Sequence, residues 1–341
     1  MIRLDTADKV LLLDLLREAR QIVTVTHTHP DGDAVGSSLG IARTLQADGR
    51  TVRMLFPDPV PDTLAFMLTD DEKRDCLVHS ESPALTETAL AQADLIFCLD
   101  FNAFSRTEGL QGPLAAAPGR KILIDHHLNP VAGAFDLCIS QADISSASEL
   151  VFWVLDRIGA RLPLSAATAL MTGMTTDTNN FANSTWPSTF EMASRLLTLG
   201  VDRDALLQSI NQSYEERRMR AMGELLEKMV LTPEGAAYMI LDAATRDKYG
   251  LQDGDTEGFV NLPLSIRQVR LSIFIKEEDS RHFRVSLRSK QGTSANTFAR
   301  KWFHGGGHEQ ASGGKLFIPD DIPAPSDAAA YLEKAIYAEL S

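Results

Sequence analysis

The sequence predicts an α/β protein: a parallel-sheet N-terminal domain with flanking helices, and a smaller α+β C-terminal domain across a cleft. Short apolar runs alternate with helical patterns in the first half of the chain, which is typical of a parallel sheet covered by helices. After Pro233-Glu234-Gly235 the pattern changes to β-type runs that lead into a cluster of glycines. With 341 residues, 44% of them hydrophobic, the chain is long enough for two such domains.

The first half supplies the predicted elements of the sheet domain. Five apolar runs are candidate strands: Gln21 to Thr26, Thr51 to Phe56, Asp94 to Leu99, Lys121 to Ile124 and Phe135 to Ile139. Two segments are apolar at helical spacing and are closed by a glycine, namely Ala34 to Ala47 and Ser148 to Ile158. The first twenty residues mix charges with apolar positions, so we expect an amphipathic surface helix rather than a secretory signal.

The rest of the chain divides into a helical connector and the second domain. From Pro187 to Met229 the pattern is helical and highly charged, whereas AAYMILD, VRLSIFIKEED and HFRVSLRS are strand-like runs before the cluster HGGGHEQASGG. The predicted boundaries are therefore 1–190 for the first domain, 191–228 for a helical linker and 229–341 for the second domain.

Composition limits where the protein acts and what it binds. Three cysteines without paired spacing, and no apolar run of membrane-spanning length, indicate a cytoplasmic protein, with Cys98 and Cys138 as small apolar residues in buried strands. The net charge of -13 opposes binding to long nucleic acids. Arg267 to Lys301 is nonetheless locally basic, with nine Lys and Arg against three acids, although a solvated strand face is the alternative interpretation.

Metal-type ligands follow the first predicted strand directly. The motif HTHPDGDAVGS places His27, Asp31 and Asp33 in one loop at the strand's carboxyl end, where open α/β sheets build their sites. Imidazole and carboxylate ligands crowded into one turn favour a divalent cation, because without one they would repel each other. Asp31 and Asp33 as simple caps of the following helix are the alternative.

Three further motifs supply similar groups. DLIFCLD ends a strand on Asp100, KILIDHH ends one on Asp125-His126-His127, and LMTGMTTDTNNF leads to Asp177 at the end of a small-residue helix. Each has a structural alternative as a turn or cap residue, but four clusters at one side of one sheet favour a shared metal site. Ser145, Ser146 and Glu149 open a nearby helix and are interpreted as caps.

Taken together, these motifs resemble the DHH phosphoesterase superfamily, named for Asp125-His126-His127. The glycine cluster resembles that of the superfamily's DHH-associated C-terminal domain, and the resemblance extends from about Gln21 to Ile318. It implies two divalent metal ions, Mn²⁺ by preference with Mg²⁺ or Co²⁺ as substitutes, held by His27, Asp31, Asp33, Asp100, His126 and Asp177. Asp100 would bridge the two sites.

The resemblance also implies residue roles around the metals. His127 would face the scissile phosphate and Asp125 would support the histidine pair. Substrate contacts would come from Arg288, Gly306, Gly307 and His308 of the second domain. Phe283, Phe298, Trp302 and Phe303 are candidates for base stacking, with the hydrophobic core as the alternative.

A two-domain chain of this size is similar to the small oligoribonuclease type of the superfamily. The implied activity is hydrolysis of short RNA and of linear dinucleotides such as pApA and pGpG, together with adenosine 3′,5′-bisphosphate. Cyclic dinucleotide phosphodiesterase is the first alternative, and inorganic polyphosphate or pyrophosphate hydrolase is a more distant one. A nucleotide-sensing protein with a degenerate site is disfavoured by the intact ligand set. The expected partners are small substrates rather than duplex nucleic acid or membrane, and a homodimer is compatible with the sequence.

Overall fold

The computed structural model describes residues 4–211, 215–252 and 254–341. The described residues form two compact units, one before the gap at 212–214 and one after it. Parts of three predicted segments therefore lie outside the described residues: the first three positions of the N-terminal helix, a short stretch of the predicted linker and position 253 of the predicted second domain. The two units are described separately below.

The first unit is built on a parallel sheet, as the sequence predicts. Its described strands are β1 (Gln21–Val25), β2 (Thr51–Phe56), β3 (Leu77–Val78), β4 (Leu95–Leu99), β5 (Arg120–Asp125) and β6 (Leu137–Ser140). They lie in the order β3-β2-β1-β4-β5-β6, and all neighbouring pairs are parallel. The five predicted strands agree with the structure to within two residues at each end. The additional strand β3 has two residues, which is too short for any periodic pattern.

Helices cover both faces of this sheet. In chain order they are α1 (Thr6–Glu18), α2 (Gly32–Ala47), α3 (Asp70–Asp75), α4 (Pro83–Gln92), α5 (Gln111–Ala116), α6 (Ala147–Ile158), α7 (Leu164–Asp177), α8 (Pro187–Thr198) and α9 (Arg203–Asn211), with 3₁₀ turns at Asp62–Met67 and Phe104–Leu110. Along β4, Leu95, Phe97 and Leu99 enter the core on one face, while Ile96 and Cys98 enter the core on the other. Burial on both faces explains why this strand is apolar throughout instead of alternating.

Close approach between α2 and α7 depends on glycines spaced four residues apart. A Cβ atom at Gly36 would lie 2.7 Å from the Ala169 carbonyl oxygen and 2.9 Å from Gly173 Cα, and one at Gly40 would collide with the Leu170 side chain. Residues four apart share one face of a helix, so these glycines form a groove into which α7 packs. The packing fixes the carboxyl end of α7 beside the amino end of α2.

The second unit contains a mixed sheet with helices. Its strands are β7 (Val230–Leu231), β8 (Ala236–Leu241), β9 (Leu271–Asp279), β10 (His282–Ser289), β11 (Gly306–Gly307) and β12 (Ala311–Phe317), in the order β11-β12-β10-β9-β8-β7. Its helices are α10 (Glu216–Glu227), α11 (Ala243–Tyr249), α12 (Ala295–Trp302) and α13 (Ala328–Leu340), with 3₁₀ turns at Phe259–Ser265 and Pro325–Asp327. Among the described strands of this second unit, only β8 and β9 pair in parallel. This α+β arrangement confirms the predicted fold class of the C-terminal region.

Two expectations about individual side chains change with the structure. Cys98 is buried as expected, but Cys138 is exposed, because it lies on the outward face of the edge strand β6. Phe283, Phe298 and Phe303 are at most 3% exposed and belong to the core of the second unit, so they are unavailable for base stacking. Trp302 is half-buried, and its Nε1 donates to Glu339 Oε1 at 3.1 Å.

The basic stretch of the second unit is largely occupied by local contacts. Lys276 pairs with Glu278, Lys301 pairs with Glu339, and Arg270 and Lys290 donate to backbone carbonyl oxygens. These contacts reduce the charge that is available to a polyanionic partner. Among the described residues, no helix is both long and apolar enough to span a membrane.

The packing of α2 on α7 yields a stability prediction. Replacing Gly36 with Ala places a methyl group against the backbone of α7, so we expect a loss of about 1–3 kcal/mol in the free energy of unfolding. Urea unfolding followed by circular dichroism measures the change. Gly112→Ala on α5 is the matched control, since no atom lies within 4 Å of its Cβ position. Equal stability of the two variants would contradict the close packing.

Candidate metal centre

The candidate site lies at the carboxyl ends of β1 and β4, which are adjacent in the sheet although distant in the chain. The strand order reverses direction between these two strands, with β2 and β3 on one side and β5 and β6 on the other. Loops that leave neighbouring strands at such a point diverge and open a crevice. His27 follows β1 and Asp100 follows β4, so both side chains reach this crevice.

The ring of His27 is fixed by its own loop. Its Nδ1 lies 2.7 Å from the carbonyl oxygen of Thr28, and since a carbonyl only accepts, Nδ1 carries the proton. Nε2 then presents its lone pair, and it lies 3.4 Å from Asp100 Oδ2 and 3.9 Å from Asp31 Oδ2. A backbone carbonyl that orients one ring nitrogen is a common support for a histidine metal ligand.

Asp31 performs both of the functions that the sequence left open. As the N-cap of α2, its Oδ1 accepts hydrogen bonds from the backbone N–H groups of Asp33 and Ala34, each at 3.0 Å. Its other oxygen, Oδ2, is the atom that lies near His27 Nε2. The cap therefore holds the carboxylate in place while one oxygen remains directed toward the candidate site.

Asp33 lies in the first turn of α2 and is buried, 1% exposed. Both of its carboxylate oxygens accept hydrogen bonds from the amino end of α6: Oδ2 from Ala147 N at 2.6 Å and Oδ1 from Ser148 N at 2.8 Å. The exposed N–H groups and the positive end of the helix dipole favour an anion at this position. The carboxylate of Asp33 is thereby held rigidly inside the protein.

A second group of ligand atoms surrounds His126, which follows β5. Its Nε2 lies 3.4 Å from Asp100 Oδ1, 3.6 Å from Asp177 Oδ2 and 3.8 Å from Asp33 Oδ2. Asp177 is the last residue of α7, and the packing of α7 on α2 delivers it to this position. One imidazole nitrogen thus faces three carboxylates from three different elements.

Asp100 connects the two groups. Its Oδ2 lies near His27 and its Oδ1 near His126, so one carboxylate is shared between two imidazoles. Among the described residues nothing makes a hydrogen bond to the buried Oδ1, although it is an acceptor that normally requires a partner. The backbone of Asp100 is left-handed, with φ of 63°, which aspartate tolerates better than most residues.

The pKa shifts of the carboxyl groups in the cluster indicate that too little positive charge lies near them. Burial, with the neighbouring carboxylates of Asp100 and Asp177, raises the pKa of Asp33 well above its ordinary value. Burial and Asp100 likewise raise the pKa of Asp177, to about 6. Burial opposes ionisation of Asp100 too, but contacts with His126 and His27 hold its pKa well below the ordinary value.

The same contacts act on the histidines in the opposite direction. Burial disfavours their charged forms, yet Asp100 and the other nearby carboxylates raise the pKa of His27 and raise that of His126 well above its ordinary value. Protons bound to these carboxyl and imidazole groups therefore compensate for the missing positive charge in the cluster. Divalent cations would displace them, so the buried donors and the unsatisfied Asp100 oxygen fit a metal-binding centre.

Asp125 and His127 form a separate hydrogen-bonded pair beside this centre. Asp125 is fully buried, and its carboxylate accepts from His127 Nδ1 at 2.7 Å and from His127 N at 3.1 Å. His127 Nδ1 also lies 3.7 Å from Asp100 Oδ1. Asp125 thus contacts His127, the second histidine of the motif, and fixes the orientation of its ring.

The predicted substrate residues of the second unit lie on β10, on β11 and directly after β11. Arg288 is on β10, where its Nη1 donates to the Leu287 carbonyl oxygen at 3.0 Å. Gly306 and Gly307 form β11, paired with Gly313 and Ser312 of β12. His308 follows directly, and its backbone N–H donates to the Ala311 carbonyl oxygen at 2.8 Å. All of these contacts join residues of the second unit to one another.

Sequence reasoning missed two supports of the candidate site. The first is the amino end of α6, where Ser146 is a cap as expected but Ala147 and Ser148 hold Asp33. The second is the glycine groove of α2, which brings Asp177 into place. A four-residue glycine period at 32, 36 and 40 was the available signal for the groove. No local sequence pattern links α6 to Asp33, which lies more than a hundred positions earlier.

Glu149 is also more than a cap. It is fully buried, and its carboxylate accepts from Ser145 N at 3.1 Å, Thr189 Oγ1 at 2.7 Å and Trp153 Nε1 at 3.2 Å. This buried carboxylate ties the amino end of α6 to α8. It therefore stabilises the helix that holds Asp33.

Comparison with known proteins gives matches over most of the chain. Residues 21–174 match the DHH family, N-terminal domain, and residues 235–333 match the DHHA1 domain. The chain is 32% identical over 298 residues to the bifunctional oligoribonuclease and PAP phosphatase NrnA of Thermus thermophilus, covering 86% of this chain and 84% of that protein.

Solved structures agree with these matches. An exopolyphosphatase-related protein from Bacteroides fragilis has a TM-score of 0.89 and 36% identity, covering 98% of this chain and 96% of the other. RecJ from Thermus thermophilus, crystallised in complex with Mn²⁺, shares the fold with a TM-score of 0.56 and 16% identity, covering 99% of this chain and 56% of RecJ. On these matches, the chain belongs to the DHH family and carries a DHHA1 domain after its DHH domain.

Proposed function

We propose that this chain is a two-metal phosphoesterase that hydrolyses short oligoribonucleotides and linear dinucleotides such as pApA and pGpG to mononucleotides, and that it also acts on adenosine 3′,5′-bisphosphate. The observation that carries the proposal is the Asp100 carboxylate shared between the His27 and His126 groups. The named activities of the Thermus thermophilus relative support the substrate class.

We propose two ligand sets, and the geometry supports them. His27, Asp31 and Asp100 would hold one cation, and Asp33, Asp100, His126 and Asp177 would hold the other. Mixed imidazole and carboxylate donors without thiolates favour Mn²⁺, with Mg²⁺ or Co²⁺ as substitutes. Two divalent cations, if bound by these residues, would activate a water molecule and stabilise the negative charge that develops on the oxygens around phosphorus during displacement.

His127 would orient the phosphate or protonate the departing oxygen. Asp125 accepts a hydrogen bond from Nδ1–H of His127 and holds the ring, so Nε2 is the nitrogen that would exchange protons with the substrate. A buried carboxylate that fixes a histidine in one tautomer commonly accompanies general acid or base catalysis. We therefore propose His127 as the catalytic group and Asp125 as its positioning residue.

The second unit would contribute substrate contacts through Arg288, Gly306, Gly307 and His308. Glycines allow a phosphate to approach backbone N–H groups closely, and a guanidinium pairs well with phosphate oxygens. The core location of three of the four candidate aromatics removes them as base-stacking groups. Recognition would then depend mainly on phosphate contacts, which fits substrates of few nucleotides.

Inorganic polyphosphate is a second candidate substrate, because the Bacteroides fragilis protein is described as exopolyphosphatase-related. Cyclic dinucleotides are the other alternative.

A comparison of catalytic efficiencies with Mn²⁺ for pApA, adenosine 3′,5′-bisphosphate, cyclic di-AMP and tripolyphosphate separates these possibilities. We expect the first two to be preferred. Preference for cyclic di-AMP or for tripolyphosphate would overturn the substrate assignment.

Loss of one buried carboxylate should stop the reaction. We expect Asp33→Asn to abolish pApA hydrolysis, because the amide removes a negative charge from the proposed ligand set. Steady-state turnover with Mn²⁺ measures the effect, and thermal unfolding confirms that the variant folds. A correctly folded Asp33→Asn protein with unchanged turnover would exclude these motifs from the mechanism.

The shared position of Asp100 predicts a distinct metal-binding phenotype. Titration of metal-free protein with Mn²⁺ by calorimetry should show that Asp100→Asn weakens both binding events. Asp177→Asn should weaken one event, by about tenfold or more. Asp75 is exposed, so Asp75→Asn is the matched control, and this variant should bind Mn²⁺ as the unmodified protein does. Equal effects of the Asp100 and Asp177 variants would argue against a shared carboxylate.

Strand β11 (Gly306–Gly307) contains one glycine that can be replaced to test substrate contact without straining the backbone. The Cβ position at Gly306 is open, with only Arg300 Nε at 4.0 Å, whereas one at Gly307 would meet the Ala311 carbonyl oxygen at 2.7 Å. We expect Gly306→Ala to fold normally and to raise the KM for pApA about tenfold, because the methyl group obstructs the phosphate. Gly223→Ala on α10 serves as the control, since its Cβ position is also open. An unchanged KM would remove Gly306 from the binding site.

A further inference from the structure

Arg106 lies in the segment that leaves the shared carboxylate. The chain runs from Asp100 at the end of β4 into the 3₁₀ turn Phe104–Leu110, and Arg106 is exposed near the start of that turn. No motif singled out this residue. Its position nevertheless places an arginine in the segment that follows Asp100, a buried carboxylate of the candidate metal centre.

Hydrogen bonds tie the backbone of Arg106 to the loop of the candidate metal ligand His27. The carbonyl oxygen of Arg106 accepts from Thr28 N at 2.9 Å and from Thr28 Oγ1 at 3.2 Å. The carbonyl oxygen of Thr28 in turn accepts from His27 Nδ1 at 2.7 Å. Arg106 is thus connected to the His27 ring through one intervening residue, and the two loops are held together.

The rest of the segment is anchored, so it presents Arg106 in a defined position. Asn102 O accepts from Val131 N at 2.9 Å, and Asn102 Nδ2 donates to Leu128 O at 2.8 Å. Thr107 is buried and donates to Phe104 O at 2.7 Å. Two residues beyond Arg106, Glu108 has a left-handed backbone with φ of 43°, and strained backbone of this kind is concentrated at functional sites.

The guanidinium of Arg106 has no ion pair or hydrogen bond with other described residues, although the protein carries a net charge of -13. Other arginines of the first unit are paired, such as Arg43 with Glu72 and Arg195 with Asp156. Its backbone is tied to Thr28, the residue that follows His27, so the Arg106 side chain begins beside the loop of that candidate ligand. An unpaired guanidinium beside an acidic metal centre is suited to an anionic ligand.

We propose that the Arg106 guanidinium binds a non-bridging oxygen of the substrate phosphate at the candidate metal centre. The inference rests on the proposed function and adds a substrate contact from the first unit. Arginine suits this role because its planar fork donates two parallel hydrogen bonds to a phosphate. Its fixed charge would also attract the anionic substrate toward a site whose own side chains are mostly carboxylates.

Arg106→Gln tests the proposal against a matched control. The control is Arg53→Gln, since Arg53 on β2 is likewise exposed and unpaired among the described residues. We expect Arg106→Gln to lower kcat/KM for pApA about 10- to 100-fold and Arg106→Lys to restore part of the loss, because lysine keeps the charge but not the fork. Thermal unfolding of the three variants should match that of the unmodified protein.

A binding measurement separates substrate contact from an indirect effect on catalysis. In the Asp33→Asn background, the anisotropy of fluorescently labelled pApA should report a dissociation constant raised about tenfold by Arg106→Gln and unchanged by Arg53→Gln. Failure of the proposed function is visible in the unmodified protein alone, as absent pApA hydrolysis. If that protein is active and Arg106→Gln matches Arg53→Gln in both efficiency and affinity, the role of Arg106 is wrong.

Discussion

The first unit depends on one electrostatic constraint: the carboxylates of Asp33, Asp100 and Asp177 converge on two imidazoles in a mostly buried space. Such a group is unfavourable without compensating positive charge, because burial and mutual repulsion both destabilise the anions. The pKa values of Asp33 and Asp177 are raised for this reason. Protons relieve the repulsion in the protein alone, and divalent cations would relieve it with a defined geometry.

Each supporting element of the unit holds one of these charges. The reversal of strand order places His27 and Asp100 side by side. The amino end of α6 donates two backbone hydrogen bonds to Asp33, and the glycine groove of α2 lets α7 deliver Asp177. The fold thus offsets the cost of crowding with backbone hydrogen bonds and close helix packing. Features that look unfavourable in isolation, such as helix glycines and a left-handed aspartate, are consistent with this role.

Much of the fold follows from the sequence because its signals are local. Apolar runs marked the strands of the first sheet, and the change of pattern after Gly235 marked the second unit. The ligand groups were predictable since each follows a strand or ends a helix. The contacts between these groups were not, because they depend on packing between distant segments such as α2, α6 and α7. Arg106 was missed for the same reason, since its hydrogen bond with Thr28, the residue after His27, spans 78 positions. Cys138 shows a further limit: the pattern located strand β6 but not its place at the edge of the sheet.

The proposed reaction depends on Asp100 as a carboxylate shared by two metal ions. Electron paramagnetic resonance of the protein loaded with two equivalents of Mn²⁺ addresses this point directly, because ions that share a carboxylate in one site interact magnetically. We predict the spectrum of an exchange-coupled Mn²⁺ pair, which converts to that of isolated ions in Asp100→Asn. A spectrum of isolated, uncoupled Mn²⁺ in the fully loaded, unmodified protein would contradict the shared site.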